Sequence, residues 1–215
     1  MHEQRVRPYS QYLLVKEGKP YWRLAALTEE AFCHILQPMM RKDSLCLAQK
    51  GYEVGLGKFS ILKKDSFQGL EERFWTGTDK VHHIGLEFLT SASFKKNGEY
   101  MIFPELPLVL NSLIRKWNAY SDNMVLGEER LGDRLTESMC ITDYRLHTHP
   151  FSVEGRRIRA FRGNIRLGLF KDDITRRMAS MLAAFADYAG IGIKTAMGMG
   201  AVESDISYYQ KKEQL

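Results

Sequence analysis

Two amphipathic helical stretches, each set between strand-like runs, constrain the fold of this chain most. Leu86–Phe94 reads as a strand, and Lys95-Lys96-Asn97-Gly98 as a turn. Pro104 and Pro107 suit a helix first turn. Behind them Leu106, Leu110, Leu113, Ile114 and Trp117 recur on one helical face. Ile141–His149 and Arg157–Leu169 read as strands around Pro150–Gly155. A second helix, about Asp172–Ala189, turns Ile174, Met178, Met181, Leu182, Phe185 and Tyr188 inward, and Gly198–Ile206 returns as a strand. Ser121–Thr136 is polar and reads as loop.

Strand, helix, strand, strand, helix, strand is the order of a ferredoxin-like unit. The first part of the chain repeats part of it. Gln11–Val15 and Tyr21–Ala26 form a strand pair around Glu17-Gly18-Lys19-Pro20. Thr28 caps a helix with Glu29 and Glu30 in its first turn and Phe32, Ile35, Leu36 and Met39 on its apolar face. Ser44–Ala48 and Phe59–Leu62 read as strands, and Lys64–Val81 as a linker or long loop. This is the same order without its first strand and helix. The expected fold class is therefore α+β, with two tandem ferredoxin-like (RNA-recognition-type) domains, residues 1–80 and 81–215, the first incomplete at its N-terminus. A length of 215 residues accommodates both.

Behind the last helix stands Gly190-Ile-Gly192-Ile-Lys194-Thr195-Ala-Met-Gly198-Met-Gly200. Glycine permits positive φ and close approach of another chain. Four glycines around a lysine and a threonine suit a grip on a sugar-phosphate backbone by main-chain N–H groups and one cation. The spacing fits neither a nucleotide P-loop nor a dinucleotide fingerprint. A plain tight turn between helix and strand is the alternative reading.

Arg156, Arg157, Arg159, Arg162 and Arg166 follow one another with no acidic residue between them. Guanidinium groups so clustered suit bidentate phosphate contacts, and Phe161 among them suits stacking on a base; a charged, solvated strand edge gives the same pattern. His147 and His149 share a strand face and are placed to contact RNA. His82-His83 and His147-Thr-His149 lack a third ligand at a recognised spacing, so no metal or other cofactor is expected. Nor is there a G-x-S-x-G elbow or paired-carboxylate centre. A net charge of +5 and a pI near 9.0 favour an anionic partner. Cys33, Cys46 and Cys140 are scattered, which suits a reducing cytoplasm, and no apolar run is long enough for a membrane helix.

Several of these segments together resemble the CRISPR-associated repeat-cleaving endoribonucleases, of the repeat-associated mysterious protein superfamily, which process precursor CRISPR RNA. The glycine loop is similar to the family's signature. Leu86–Phe94, followed by Tyr100–Pro104 and the helix ending Arg115-Lys116-Trp117-Asn118, resembles its central strand and helix. Arg162-Gly163 within Ala160–Ile165 resembles its aromatic-x-Gly strand, and Met1–Gln4 through Pro8–Tyr12 the segment leaving its first helix.

The resemblance implies metal-independent RNA cleavage by attack of a 2′-hydroxyl, leaving a 2′,3′-cyclic phosphate. The family's histidine matches His2, and Arg5 or Arg7 fills the place of the basic residue after it. RNA-binding residues on this reading are Arg157, Arg159, Arg162, Gly190, Gly192, Lys194, Thr195, Gly198 and Gly200. Only Met1 precedes His2, so the family's usual N-terminal strand and most of its first helix, with the tyrosine it often carries, are expected to be missing. The expected partner is CRISPR repeat RNA, with other CRISPR effector subunits or a second copy of the chain as further candidates and no membrane. The alternative function is a non-catalytic RNA-binding subunit of a CRISPR effector complex.

Overall fold

The computed structural model describes residues 6–77, 80–127, 131–153, 155–170 and 172–209. It opens with an antiparallel hairpin of β1 (Tyr9–Lys16) and β2 (Lys19–Ala26), paired from Tyr9↔Ala26 to Lys16↔Lys19. The two turn residues, Glu17 and Gly18, both have positive φ, the geometry whose twist matches the strands it joins.

Thr28 caps the next helix as expected, its hydroxyl accepting from the Ala31 N–H. The helix runs as α1 (Glu29–Ala31), a π-helical turn (Phe32–Leu36) and α2 (Gln37–Met39). Pro38 has no N–H, so the regular ladder is interrupted at the π turn. The extra residue rotates the apolar face: Ala31 and Leu36 are buried while Phe32 faces solvent.

β3 (Ser44–Leu47) pairs with β4 (Tyr52–Gly55), not with the expected strand at Phe59–Leu62, which is irregular. The expected loop at Lys64–Val81 contains a helix, α3 (Phe67–Thr76). Ser66 caps it by accepting from the Gly69 N–H at 2.9 Å.

The second half is a complete ferredoxin-like unit. It comprises β5 (Val81–Ala92), a small hairpin β6 (Phe94–Lys96) and β7 (Glu99–Met101), and α4 (Leu106–Tyr120). Then come α5 (Leu131–Thr136), lying in the expected loop, and β8 (Met139–Thr148). The hairpin β9 (Phe151–Val153) and β10 (Arg156–Ile158) leads to β11 (Phe161–Leu169), α6 (Asp173–Ala189) and β12 (Val202–Tyr208). The antiparallel sheet has the order β12-β5-β11-β8. The fold is thus α+β, with tandem ferredoxin-like units, the first represented among the described residues by its strand, strand, helix, strand portion.

The main core lies between this sheet and the helices. Ile84, Leu86, Phe88 and Ile165 from the strands meet Leu113 and Trp117 of α4 and Leu182 and Phe185 of α6. Phe67 of α3 joins them, its ring 4.9 Å from Trp117 and 5.5 Å from Phe185.

Phe161 is fully buried against Phe88 and Phe94, so it is not available to stack on a base. Ile174 is exposed, and Thr175 takes the inward place in the first turn of α6, where Asp172 caps the helix. Among the described residues no helix is long and apolar enough to cross a membrane.

Candidate nucleic-acid interface

The glycine loop leaves α6 and folds back under β5. Its backbone is largely committed to the protein. Ile191 N–H donates to Gly200 C=O, Gly200 N–H to Ser91 C=O and Ile193 N–H to Ser93 C=O, at 2.8, 2.8 and 3.0 Å. Gly192 N–H donates to the buried Ser112 hydroxyl at 2.8 Å. At Gly200 a Cβ would stand 1.9 Å from Ile191 O, and at Gly192 2.4 Å from Ser93 O, both at positive φ. Only glycine fits these two close approaches. Gly190 is likewise buried. Gly198 differs: its φ is +102°, but a Cβ would meet only the rim of Phe151 at 3.7 Å. The half-buried Lys194 sits in the left-handed region, starting a 3₁₀ turn, Thr195–Met197. The structure therefore places Lys194 and Gly198 toward the open side of the loop, and Gly190, Gly192, Thr195 and Gly200 inside it.

Beneath the loop lies Lys116 of α4, buried to 5% exposure. Its ammonium donates to Ala189 C=O, Gly190 C=O and the Thr195 hydroxyl at 2.9, 2.8 and 3.2 Å. Two of these acceptors are orphan carbonyls at the end of α6, where a cation is favoured. Burial, with Arg115 adding repulsion, pushes the Lys116 pKa down to about 7. The sequence reading did not single it out. The signal was there: Lys116 sits beside Leu113 and Trp117 on the apolar face of its helix.

The arginines divide into two groups. Arg157 and Arg159 are exposed on either side of the buried Ile158, which packs with Ala160 and Met199 in a second small core. That core includes Phe151 and Val153 of β9 and Ile193 of the loop, so it fastens the β9–β10 hairpin to the glycine loop. Arg159 makes an exposed ion pair with Glu99 at 2.5 Å. Arg162 and Arg166 lie instead on the open face of the sheet, opposite His147 and Asp143 of β8. His149 is exposed, and its Nδ1 lies 2.7 Å from the hydroxyl of Ser91, whose carbonyl holds Gly200.

Of the candidate catalytic residues, His2 and Arg5 lie outside the described residues. Arg7 is exposed and lies close enough to Tyr120 for its charge to act on that phenol, whose hydroxyl donates to the neighbouring Val6 C=O. Lys116 stands one turn earlier on the same helix as Tyr120.

Residues 86–202, from β5 to the start of β12 and with the whole glycine loop, match the family of the CRISPR-associated endoribonuclease Cas6. That is more than half of the chain. The chain belongs to this family. A Cas6 endoribonuclease of Streptococcus thermophilus is 28% identical over 203 residues, covering 94% of this chain and 82% of the relative. One from Mycobacterium tuberculosis is 30% identical over 213 residues, covering 94% of this chain but 64% of the relative. Among solved structures, a Cas6 product complex from Thermus thermophilus superposes with a TM-score of 0.78 at 22% identity, over 95% of this chain and 84% of that one. A Cas6 substrate mimic complex gives 0.75 at 21% identity, over 93% and 85%. At these identities the structural likeness is one of fold. Within the Cas6 family match fall the β9–β10 hairpin, Arg157, Arg159, Arg162 and the Lys116-anchored loop, while Arg7 and the β1–β2 hairpin precede it.

Proposed function

We propose that this chain is an endoribonuclease that binds CRISPR repeat RNA and cuts it without a metal ion to yield guide RNAs. The observation that carries this reading is the preformed glycine loop inside the family match, fastened to a hairpin that presents Arg157 and Arg159. RNA phosphates would lie against Arg157, Arg159, Lys194 and the open side of the loop at Gly198, with Arg162 extending the basic surface along the sheet.

In the proposed reaction the 2′-oxygen attacks the adjacent phosphorus and the bond from phosphorus to the 5′-oxygen breaks. His2 takes the 2′-proton, an imidazole being suited to that role near neutral pH. Arg5 or Arg7 offsets charge on the phosphorane, and a proton supplied to the 5′-oxygen completes the step. The products are a 2′,3′-cyclic phosphate and a 5′-hydroxyl.

The deciding experiment incubates the protein with its host's repeat RNA in EDTA, beside a substrate carrying 2′-deoxyribose at the scissile position. Cleavage of the first and not the second is expected, with loss of cutting but retention of binding in His2→Ala. A shifted but uncut band would replace this reading with that of an RNA-binding subunit of an effector complex. An absence of salt-dependent RNA affinity would remove both.

A further inference from the structure

One face of α4 carries three polar side chains spaced a helical turn apart, Ser112, Lys116 and Tyr120. Each holds a different piece of backbone. Ser112 accepts from Gly192 N–H at 2.8 Å. Lys116 grips Ala189 C=O, Gly190 C=O and Thr195. Tyr120 donates to Val6 C=O, on the residue before Arg7. An α-helix rises about 1.5 Å per residue, so the outer two attachments lie roughly 12 Å apart along one rigid axis. Ser112 and Lys116 are buried among Leu113 and Trp117, which fixes the helix against the core.

Nothing in the hydrophobic packing of α4 requires these groups. A buried lysine is costly, and a helix needs no hydroxyl on its inward face. The geometry points to a positioning device: Ser112, Lys116 and Tyr120 set the distance between the glycine loop and the segment carrying Arg7. Tyr120 indexes that segment, and Ser112 and Lys116 index the loop. This rests on the proposed function, in which RNA lies on the loop and the reacting groups precede β1. None of the three side chains needs to touch RNA. A phosphate held by the loop would then meet the N-terminal groups at a spacing set by the helix.

The test uses Tyr120→Phe and Lys116→Met in the full chain. Three quantities are read: single-turnover cleavage of repeat RNA, affinity for the 2′-deoxy repeat, and amide hydrogen exchange in the free protein. Tyr120→Phe is expected to slow cleavage roughly tenfold or more while affinity stays within about twofold, because misplaced reacting groups lose rate and not binding. Exchange in residues 6–12 should rise about fivefold, the worth of one hydrogen bond, and stay unchanged in residues 190–200. Lys116→Met should raise exchange in residues 190–200 and weaken affinity. If Tyr120→Phe cleaves at the full rate, or exchange in residues 6–12 is unmoved, the device does not exist. If the unaltered protein does not cleave, the proposed reaction fails separately, and the exchange data still decide whether Tyr120 and Lys116 hold the two segments. Should Lys116→Met not fold, Ser112→Ala reports on the loop attachment in its place.

Discussion

Lys116 shows how one buried side chain makes stability depend on pH. Its pKa falls to about 7 in the folded protein, against about 10.4 for a free lysine. Between those values the unfolded chain holds a proton that the folded chain has released, so stability rises with pH through that window and is lowest at or below pH 7. The melting temperature, measured from pH 7 to 9.5, should therefore climb in the native protein relative to Lys116→Met, where this proton is gone. Equal slopes would show that Lys116 keeps its charge throughout. Above that range Tyr12, Tyr120 and Tyr188, whose pKa values burial raises, act in the opposite sense. Arg159 offers a second prediction. Its ion pair with Glu99 is exposed, worth no more than about 1 kcal/mol, and occupies a guanidinium assigned to phosphate. Glu99→Gln should tighten repeat RNA binding by roughly two- to fivefold at low salt. A weaker complex would mean that Glu99 orients Arg159 for RNA. At this scale the sequence announced the glycines and arginines by their clustering. It did not announce what Lys116 or Ser91 bonds to, because those partners lie far away in the chain.

Among the elements, those with strong local signals were legible. The β5, α4, β8, β11, α6, β12 order followed from amphipathic periods and turn residues, and the cap at Thr28 from its place before Glu29 and Glu30. Helix α3 was not. It buries only Leu70 and Phe74, and its last carbonyls are held by Arg177 of α6, which donates to Phe74, Trp75 and Gly77. Its period is present, with Phe67, Leu70 and Phe74 at i, i+3 and i+7 behind the Ser66 cap, but it spans only ten residues and its end is held by a guanidinium some hundred residues away. The β9–β10 hairpin is the element whose function depends most on packing. Ile158 is 1% exposed, and its contacts join the hairpin to Met199 and the loop. Ile158→Ala should destabilise the fold by about 2–4 kcal/mol. It should also weaken RNA binding several-fold at temperatures where the protein remains folded, because Arg157 and Arg159 lose their rigid mount. Unchanged affinity in a destabilised protein would show that the hairpin binds RNA independently of its seat.

Across the whole molecule the charge is polarised, which a net value of +5 does not reveal. On one edge of the sheet Glu203 faces Glu87 across β12 and β5, with Asp205 beside Gly85. On the other side Arg162 faces His147 and Arg145 faces Asn164, next to the hairpin bearing Arg157. The N-terminal hairpin also reaches the loop: Ser10 donates to Tyr188 C=O and Gln11 to Ala196 C=O, which seats β1 against α6 and the 3₁₀ turn. An RNA backbone should therefore run along β8, β11, the β9–β10 hairpin and the glycine loop, and avoid β12. Counterion release makes this measurable, since each neutralised phosphate adds about 0.7–0.9 to the slope of log affinity against log salt. Arg157→Ala, Arg162→Ala and Lys194→Ala should each lower that slope by about one. Glu87→Gln and Glu203→Gln should leave the slope unchanged and affinity within about twofold at 150 mM salt, where fields are screened beyond about 8 Å. Those two neutralisations should also relieve a like-charge pair standing directly opposite in the sheet, raising stability slightly. If instead they steepen the slope, the RNA path crosses β12 and the acidic edge is part of the interface.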